Sequence, residues 1–253
     1  MSAPLDLSIV LPALAAGVLV TLTHAPLGIQ VLQRGIVFID LAIAQIAGLG
    51  VVVADWLGFE PKGIAVQVAA LTAALAGALV LHWTERRWPD VQEAVIGVSF
   101  IVAANAALLL LAANPHGAEH MKDLLLGQIL WVDPGRLLPV AIATAALLWV
   151  WFAWHERIGR FGFYVVFACA VTISVQLVGL YLVFATLIVP ALATRAIVHR
   201  RVWACYALGV LGYATGLALS LTTDLPPGPL IVCAMTALGA MVFAMPRRSR
   251  GLK

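Results

Sequence analysis

The stretch Val178-Gly179-Leu180-Tyr181-Leu182-Val183-Phe184-Ala185-Thr186-Leu187-Ile188-Val189-Pro190-Ala191-Leu192-Ala193-Thr194-Arg195 decides how this chain is threaded. It belongs to an apolar run, 181–197, that follows directly on another, 163–180. Irregular backbone in lipid leaves N–H and C=O groups unpaired, so both runs read as helices. Only Gly179-Leu180 separates them, either as the bend of one helix or as a tight turn between two.

Working outward, the chain shows further runs at 8–33, 37–57, 63–82, 92–113, 137–154, 203–222 and 228–246. Of its 253 residues 63% are hydrophobic and 11% charged, against about 45–50% and about 25% in soluble domains. A span needs about 20 residues. The sequence therefore predicts an all-α polytopic membrane protein with eight or nine transmembrane helices in one transmembrane domain, 1–253. It excludes an ordinary soluble enzyme and a disordered chain. The net charge of +3 does not point to nucleic acid, because the basic residues sit in short clusters between apolar runs. The N-terminus MSAPLDLS lacks the basic region of a cleavable signal peptide.

The loops give an orientation. With the basic C-terminal residues inside and nine crossings traced back, Arg34, Arg86, Arg87, Arg157, Arg160, Arg195, Arg200, Arg201, Arg247, Arg248, Arg250 and Lys253 fall inside. Lys62, Lys122 and Arg136 fall outside. This 12-to-3 split follows the positive-inside rule. Fusing 163–180 with 181–197 would send Arg86, Arg87, Arg157 and Arg160 outside, so the charges favour separate crossings.

Several polar residues interrupt the apolar pattern. Asp40 lies near the inner end of its span, where a carboxylate needs water, a partner or a substrate path. The plainer alternative is that it caps a helix or pairs with Arg34. Gln45 lies five positions on, near that face. In the outer loop 114–123, His116, Glu119, His120 and Asp123 are spaced i, i+3, i+4, i+7, one face of any helix there. Imidazole with carboxylate suits zinc, manganese or iron. Pro115 and Gly117 argue against a helix reaching His116, and a solvated loop is the alternative. His24 is a ligand, a proton carrier, or the partner of a carbonyl freed by Pro26. That proline, in Pro26-Leu27-Gly28, is also where the first run would break.

The remaining signals are structural. Trp83, Trp88, Trp131, Trp154 and Trp203 lie near span ends as an aromatic belt. Cys169, Cys205 and Cys233 read as small buried packing residues. No Walker A sequence, H-E-x-x-H or G-x-S-x-G is present, so any ATP hydrolysis must come from another subunit.

Three segments carry a resemblance. Pro26-Leu27-Gly28 through Arg34, followed by Phe38-Ile39-Asp40 through Gln45, is one. Leu124-Leu125-Leu126-Gly127-Gln128-Ile129-Leu130 is the second. Val178-Gly179 through Val189-Pro190-Ala191 to Arg195 is the third and most specific, and Asp224-Leu225-Pro226-Pro227-Gly228 fits beside them. In this order they resemble the permease subunits of bacterial ABC importers for divalent metals, the zinc/manganese/iron group. The resemblance implies the fold of the vitamin-B12-importer class of ABC permeases and a second copy of the chain around a central pathway. It implies a cytoplasmic ABC ATPase dimer that binds ATP and an extracytoplasmic metal-binding protein above. It places the chain in the bacterial cytoplasmic (inner) membrane as a multi-pass protein, its C-terminus cytoplasmic. No tightly bound cofactor is implied, only a transported divalent ion, zinc or manganese. A short coupling helix after the Val-x-Pro-Ala turn maps to about 190–201, with Pro190 ending the incoming helix and Arg195, Arg200 and Arg201 facing acidic groups of the ATPase.

The family's Asp and His, one turn apart on the pathway, are not both present. Aligning Gln45 with the His sets Leu41 opposite the Asp, and aligning Asp40 sets Ala44 opposite the His. His24 and the outer His/acid loop are the groups left to compensate. Rival expectations are a metal chelate as cargo, an ion-gradient-driven carrier using His24 and Asp40, and a metal-dependent membrane hydrolase using the outer loop.

Overall fold

The computed structural model describes residues 7–60, 63–111, 129–223 and 225–244. Their α-helices are α1 (Leu7–Arg34), α2 (Ile39–Trp56), α3 (Ile64–Arg87), α4 (Gln92–Leu111), α5 (Pro134–Val178), α6 (Leu180–Ala193), α7 (Arg201–Thr223) and α8 (Pro227–Ala244). Gly159, at φ 58° and ψ −165°, divides α5 into two limbs. The described residues thus hold nine helical segments, one for each apolar run. Seven are long and apolar enough to cross a membrane, the limbs Pro134–Trp154 and Gly159–Val178 among them. With 14 residues, α6 rises about 21 Å, less than a hydrocarbon core of about 30 Å.

Glycines set the breaks. Gly35 (φ 71°) ends α1, and the N–H of Ile36 donates to the Val31 carbonyl. Gly58 (φ 84°) ends α2 in the same way, with Phe59 N–H donating to Ala54. Both are Schellman closures, which need a left-handed residue after the helix. Gly179, at φ 87° and ψ 163°, is the single link between α5 and α6. It lies, like Gly159, in a region that is essentially glycine-only. At the start of α5, Asp133 caps the helix by accepting from the N–H of Gly135 at 2.9 Å, with Pro134 in the first turn.

The expected break at Pro26 does not occur: α1 runs through Pro12 and Pro26 without interruption. Pro26 has no N–H for the Leu22 carbonyl. The Tyr206 hydroxyl of α7 donates to that carbonyl at 3.2 Å instead, so the helix continues. Neighbouring groups commonly satisfy such freed carbonyls in membrane helices.

Helix α1 packs against α5, α6 and α7; α2 packs against α3 and α4; and α8 packs against α6 and α7. Small residues let backbones approach. Gly28 of α1 rests on the Leu187 carbonyl of α6, where an added Cβ would overlap it. Gly212 and Gly216 of α7 face Met235 and Ile231 of α8 in the same manner. The first limb of α5 turns Leu138, Ile142, Trp149 and Phe152 outward, as a lipid-facing helix does. Trp83, Trp88, Trp131, Trp154 and Trp203 are exposed, in keeping with a belt. The cysteines depart from expectation: Cys205 is buried, but Cys169 is half-buried and Cys233 exposed on α8.

Candidate functional site

Asp40 stands in the first turn of α2, where unpaired N–H groups favour an anion. It is fully buried. Its Oδ1 accepts from the Leu41 N–H at 2.8 Å, and its Oδ2 is buried without a partner. Pairing with Arg34 does not occur: the Arg34 guanidinium lies 4.1 Å above the Phe163 ring of α5. Asp40 is therefore a buried carboxyl with one unused oxygen, an arrangement that costs stability unless something binds there. Gln45 is half-buried on the same helix, about 140° further round.

Glu93, in the first turn of α4, escaped the sequence reading. Its Oε1 accepts from the Phe38 N–H at 3.3 Å, which ties α4 to the start of α2, and its Oε2 is buried without a partner. Nothing in the spacing of 38 and 93 signals that contact. Phe38 also stacks on Phe184 of α6, with ring centroids 6.3 Å apart.

His24 is fully buried in α1. Its Nδ1 lies 3.0 Å from the Val20 carbonyl and 3.0 Å from Thr23 Oγ1. The carbonyl freed by Pro26 belongs to Leu22, so His24 is not its partner, contrary to that expectation. A carbonyl only accepts, so Nδ1 carries the proton toward Val20. In the neutral ring Nε2 then holds a lone pair, and it too is buried without a partner. His116, Glu119, His120 and Asp123 lie outside the described residues. Among the described residues no three His, Cys, Asp or Glu side chains gather as a metal-binding group.

At the other candidate element, Pro190 does not end the incoming helix: α6 continues to Ala193. Pro190 removes the helical donor of the Thr186 carbonyl; the Thr186 hydroxyl donates to the Leu182 carbonyl at 2.6 Å and lies 3.0 Å from Tyr213 Oη. Residues 194–200 form turns and no helix, so the expected short coupling helix is a loop here. The three arginines differ. Arg201 folds inward and donates from Nη2 to the Ala191 carbonyl at 2.9 Å. Arg195 lies over the Phe243 ring of α8 at 4.5 Å. Arg200 is exposed, at φ 61°, next to Val198, which is 86% exposed. Beneath them Thr194 Oγ1 donates to the Pro190 carbonyl at 2.8 Å and lies 3.0 Å from Cys205 Sγ.

The described residues form a bundle of membrane-length helices, with unpartnered polar atoms of His24, Asp40 and Glu93 buried on α1, α2 and α4. The chain belongs to the ABC 3 transport family, which matches residues 6–158 and 155–246. It is thus a multi-pass permease subunit of an ABC transporter complex, of the family whose members are membrane permeases. The resemblance to metal-importer permeases is borne out at the level of the family.

Individual relatives are distant. The high-affinity zinc uptake system membrane protein ZnuB of Haemophilus influenzae is 24% identical over 96% of this chain and 98% of its own length. An uncharacterized membrane protein of Synechocystis is 24% identical over 87% of this chain and 84% of its own. Among solved structures, PsaBC from Streptococcus pneumoniae in complex with Fab superposes with a TM-score of 0.77 at 18% identity, covering 97% of this chain and 94% of that one. A chain described as an ABC transporter of metal-chelate type in an inward-facing conformation gives 0.69 at 14% identity, covering 92% and 84%. At these identities the structures speak for the fold, which is the all-helical permease fold the sequence implied.

Proposed function

We propose that this chain is the membrane-spanning subunit of an ATP-driven importer for a divalent metal ion, zinc or manganese. In this reading two copies form the pathway in the bacterial cytoplasmic membrane. A cytoplasmic ATPase dimer sits below, and an extracytoplasmic metal-binding protein delivers cargo above. The whole of 1–253 acts as one permease domain. The observation that carries it is Asp40: a buried carboxyl with an unused Oδ2 suits a cation in passage. The zinc-uptake function of the Haemophilus relative supports the cargo class.

Transport asks for weak, transient binding, because a tight site would not release its ion. One carboxyl oxygen per chain, doubled by a dimer axis, is such a site. Gln45 adds at most a neutral amide oxygen, and His24 Nε2, buried without a partner on α1, offers a lone pair. The outer residues His116, Glu119, His120 and Asp123 are the proposed receiving ligands at the mouth. The 194–200 turn is the proposed ATPase contact, led by Arg200 and Val198, since Arg201 and Arg195 are engaged within the chain.

The test is ATP-driven uptake of zinc and manganese into proteoliposomes holding the chain with its ATPase. The reading predicts uptake that Asp40→Ala abolishes while the complex still assembles. Undiminished uptake by Asp40→Ala would remove Asp40 from the pathway. A metal chelate is the second reading, favoured by the absence of an imidazole one turn from Asp40; it predicts uptake of the chelated and not the free ion.

A further inference from the structure

A feature left unused by this reading is a cavity of about 460 Å³ between α3 and the two limbs of α5. Its walls are apolar, with Pro139, Val140 and Ala143 of the first limb facing Ile173 and Leu177 of the second. Three polar groups join them: Gln67, Arg136 and Gln176. The cavity is open, and Ile64 on its edge is 83% exposed.

Its depth follows from the elements that bound it. Ile64 begins α3, Pro134 begins α5, and the second limb ends at Val178. These helix ends meet at the cavity. Nine crossings traced from the basic C-terminus put them on the outer side, where Arg136 is one of three basic residues. That placement sets its polar groups at headgroup level, and its apolar walls lie on the same limb as the exposed residues Leu138 and Ile142.

The charge decides between occupants. Arg136 makes no ion pair among the described residues; the pair found there joins Arg160 to Glu85. It sits in the first turn of α5, whose N-terminus is already capped by the Asp133 carboxylate on the Gly135 N–H at 2.9 Å, so the guanidinium alone is left to draw a further anion. A guanidinium there repels a free divalent ion and matches a phosphate by paired N–H donors. Gln67 and Gln176 add amide donors. An anionic head above an apolar slot describes a phospholipid, and basic pockets between membrane helices bind such headgroups.

We propose that this cavity holds one phospholipid of the outer leaflet, its phosphate on Arg136 and one acyl chain against Pro139, Val140, Ala143 and Ile173. It is distinct from the cation path through Asp40 and rests on the membrane placement alone, so a failed uptake assay leaves it untouched.

The experiment uses the full chain in dodecyl maltoside, stripped of lipid and titrated with dioleoyl phosphatidylglycerol under native mass spectrometry. One saturable lipid per chain is expected. Arg136→Ala should weaken it at least about tenfold, equivalent to about 1.4 kcal/mol, and Ala143→Trp should remove it by filling the slot while keeping the charge. Inorganic phosphate should fail to compete. Circular dichroism and gel filtration verify that both variants fold. Equal binding by wild type and both variants overturns the proposal, as annular lipid would behave so. Equal competition by inorganic phosphate overturns it in favour of a simple anion site. Displacement of the lipid by an anionic metal chelate overturns it in favour of a cargo cavity.

Discussion

The Tyr206 hydroxyl donates to the Leu22 carbonyl, 184 positions away in sequence. That carbonyl is the one Pro26 leaves without a helical donor, so one bond from α7 lets α1 pass straight through a proline. Tyr206→Phe strands the carbonyl and is expected to destabilise the fold by about 1 kcal/mol, read as a lower unfolding midpoint in detergent. In a Pro26→Ala background the carbonyl regains a backbone donor, and the loss should shrink toward zero. Equal losses in both backgrounds would show that Tyr206 acts by packing alone.

Gly28 is expected to tolerate no side chain. Its Cβ would overlap the Leu187 carbonyl, and backbone yields less readily than a side chain. Overpacking costs about 1–3 kcal/mol or more. Gly28→Ala should lower the midpoint, and Gly28→Val should abolish recovery of monodisperse protein. Gly159→Ala tests a different cause: its surroundings are open, so any loss, about 1–3 kcal/mol, reflects its positive φ.

Arg200 and Arg201 should separate cleanly. Arg201→Ala removes the donor on the Ala191 carbonyl and is expected to cost about 1–2 kcal/mol. Arg200 is exposed in a left-handed conformation, so Arg200→Gly should leave the chain as stable or about 1 kcal/mol more so. If the 194–200 turn meets the ATPase, Arg200→Gly lowers uptake-coupled ATP hydrolysis in the assembled transporter despite intact stability. A midpoint that falls with Arg200→Gly and holds with Arg201→Ala would reverse these roles.

Asp40→Leu should raise stability while removing uptake. The wild-type carboxyl has an unpartnered buried oxygen, a cost that an apolar side chain does not carry. A gain of about 1–2 kcal/mol with lost transport is the signature of a residue kept for function. A fall in stability would mean that Asp40 serves the fold.

The sequence by itself determined the class of this protein. Its nine apolar runs are nine helical segments, and the break at Gly179 could be anticipated because hydropathy and glycine's backbone freedom are local properties. It also drew attention to Asp40 and to the 190–201 segment. What it did not determine were the partners of polar groups. That Pro26 does not break α1, that Arg34 lies over Phe163 instead of joining Asp40, that Glu93 reaches Phe38, and that Arg201 turns inward while Arg200 stays out were decided only by tertiary structure. Each depends on an atom brought close by packing between helices, and no spacing along the chain encodes that distance.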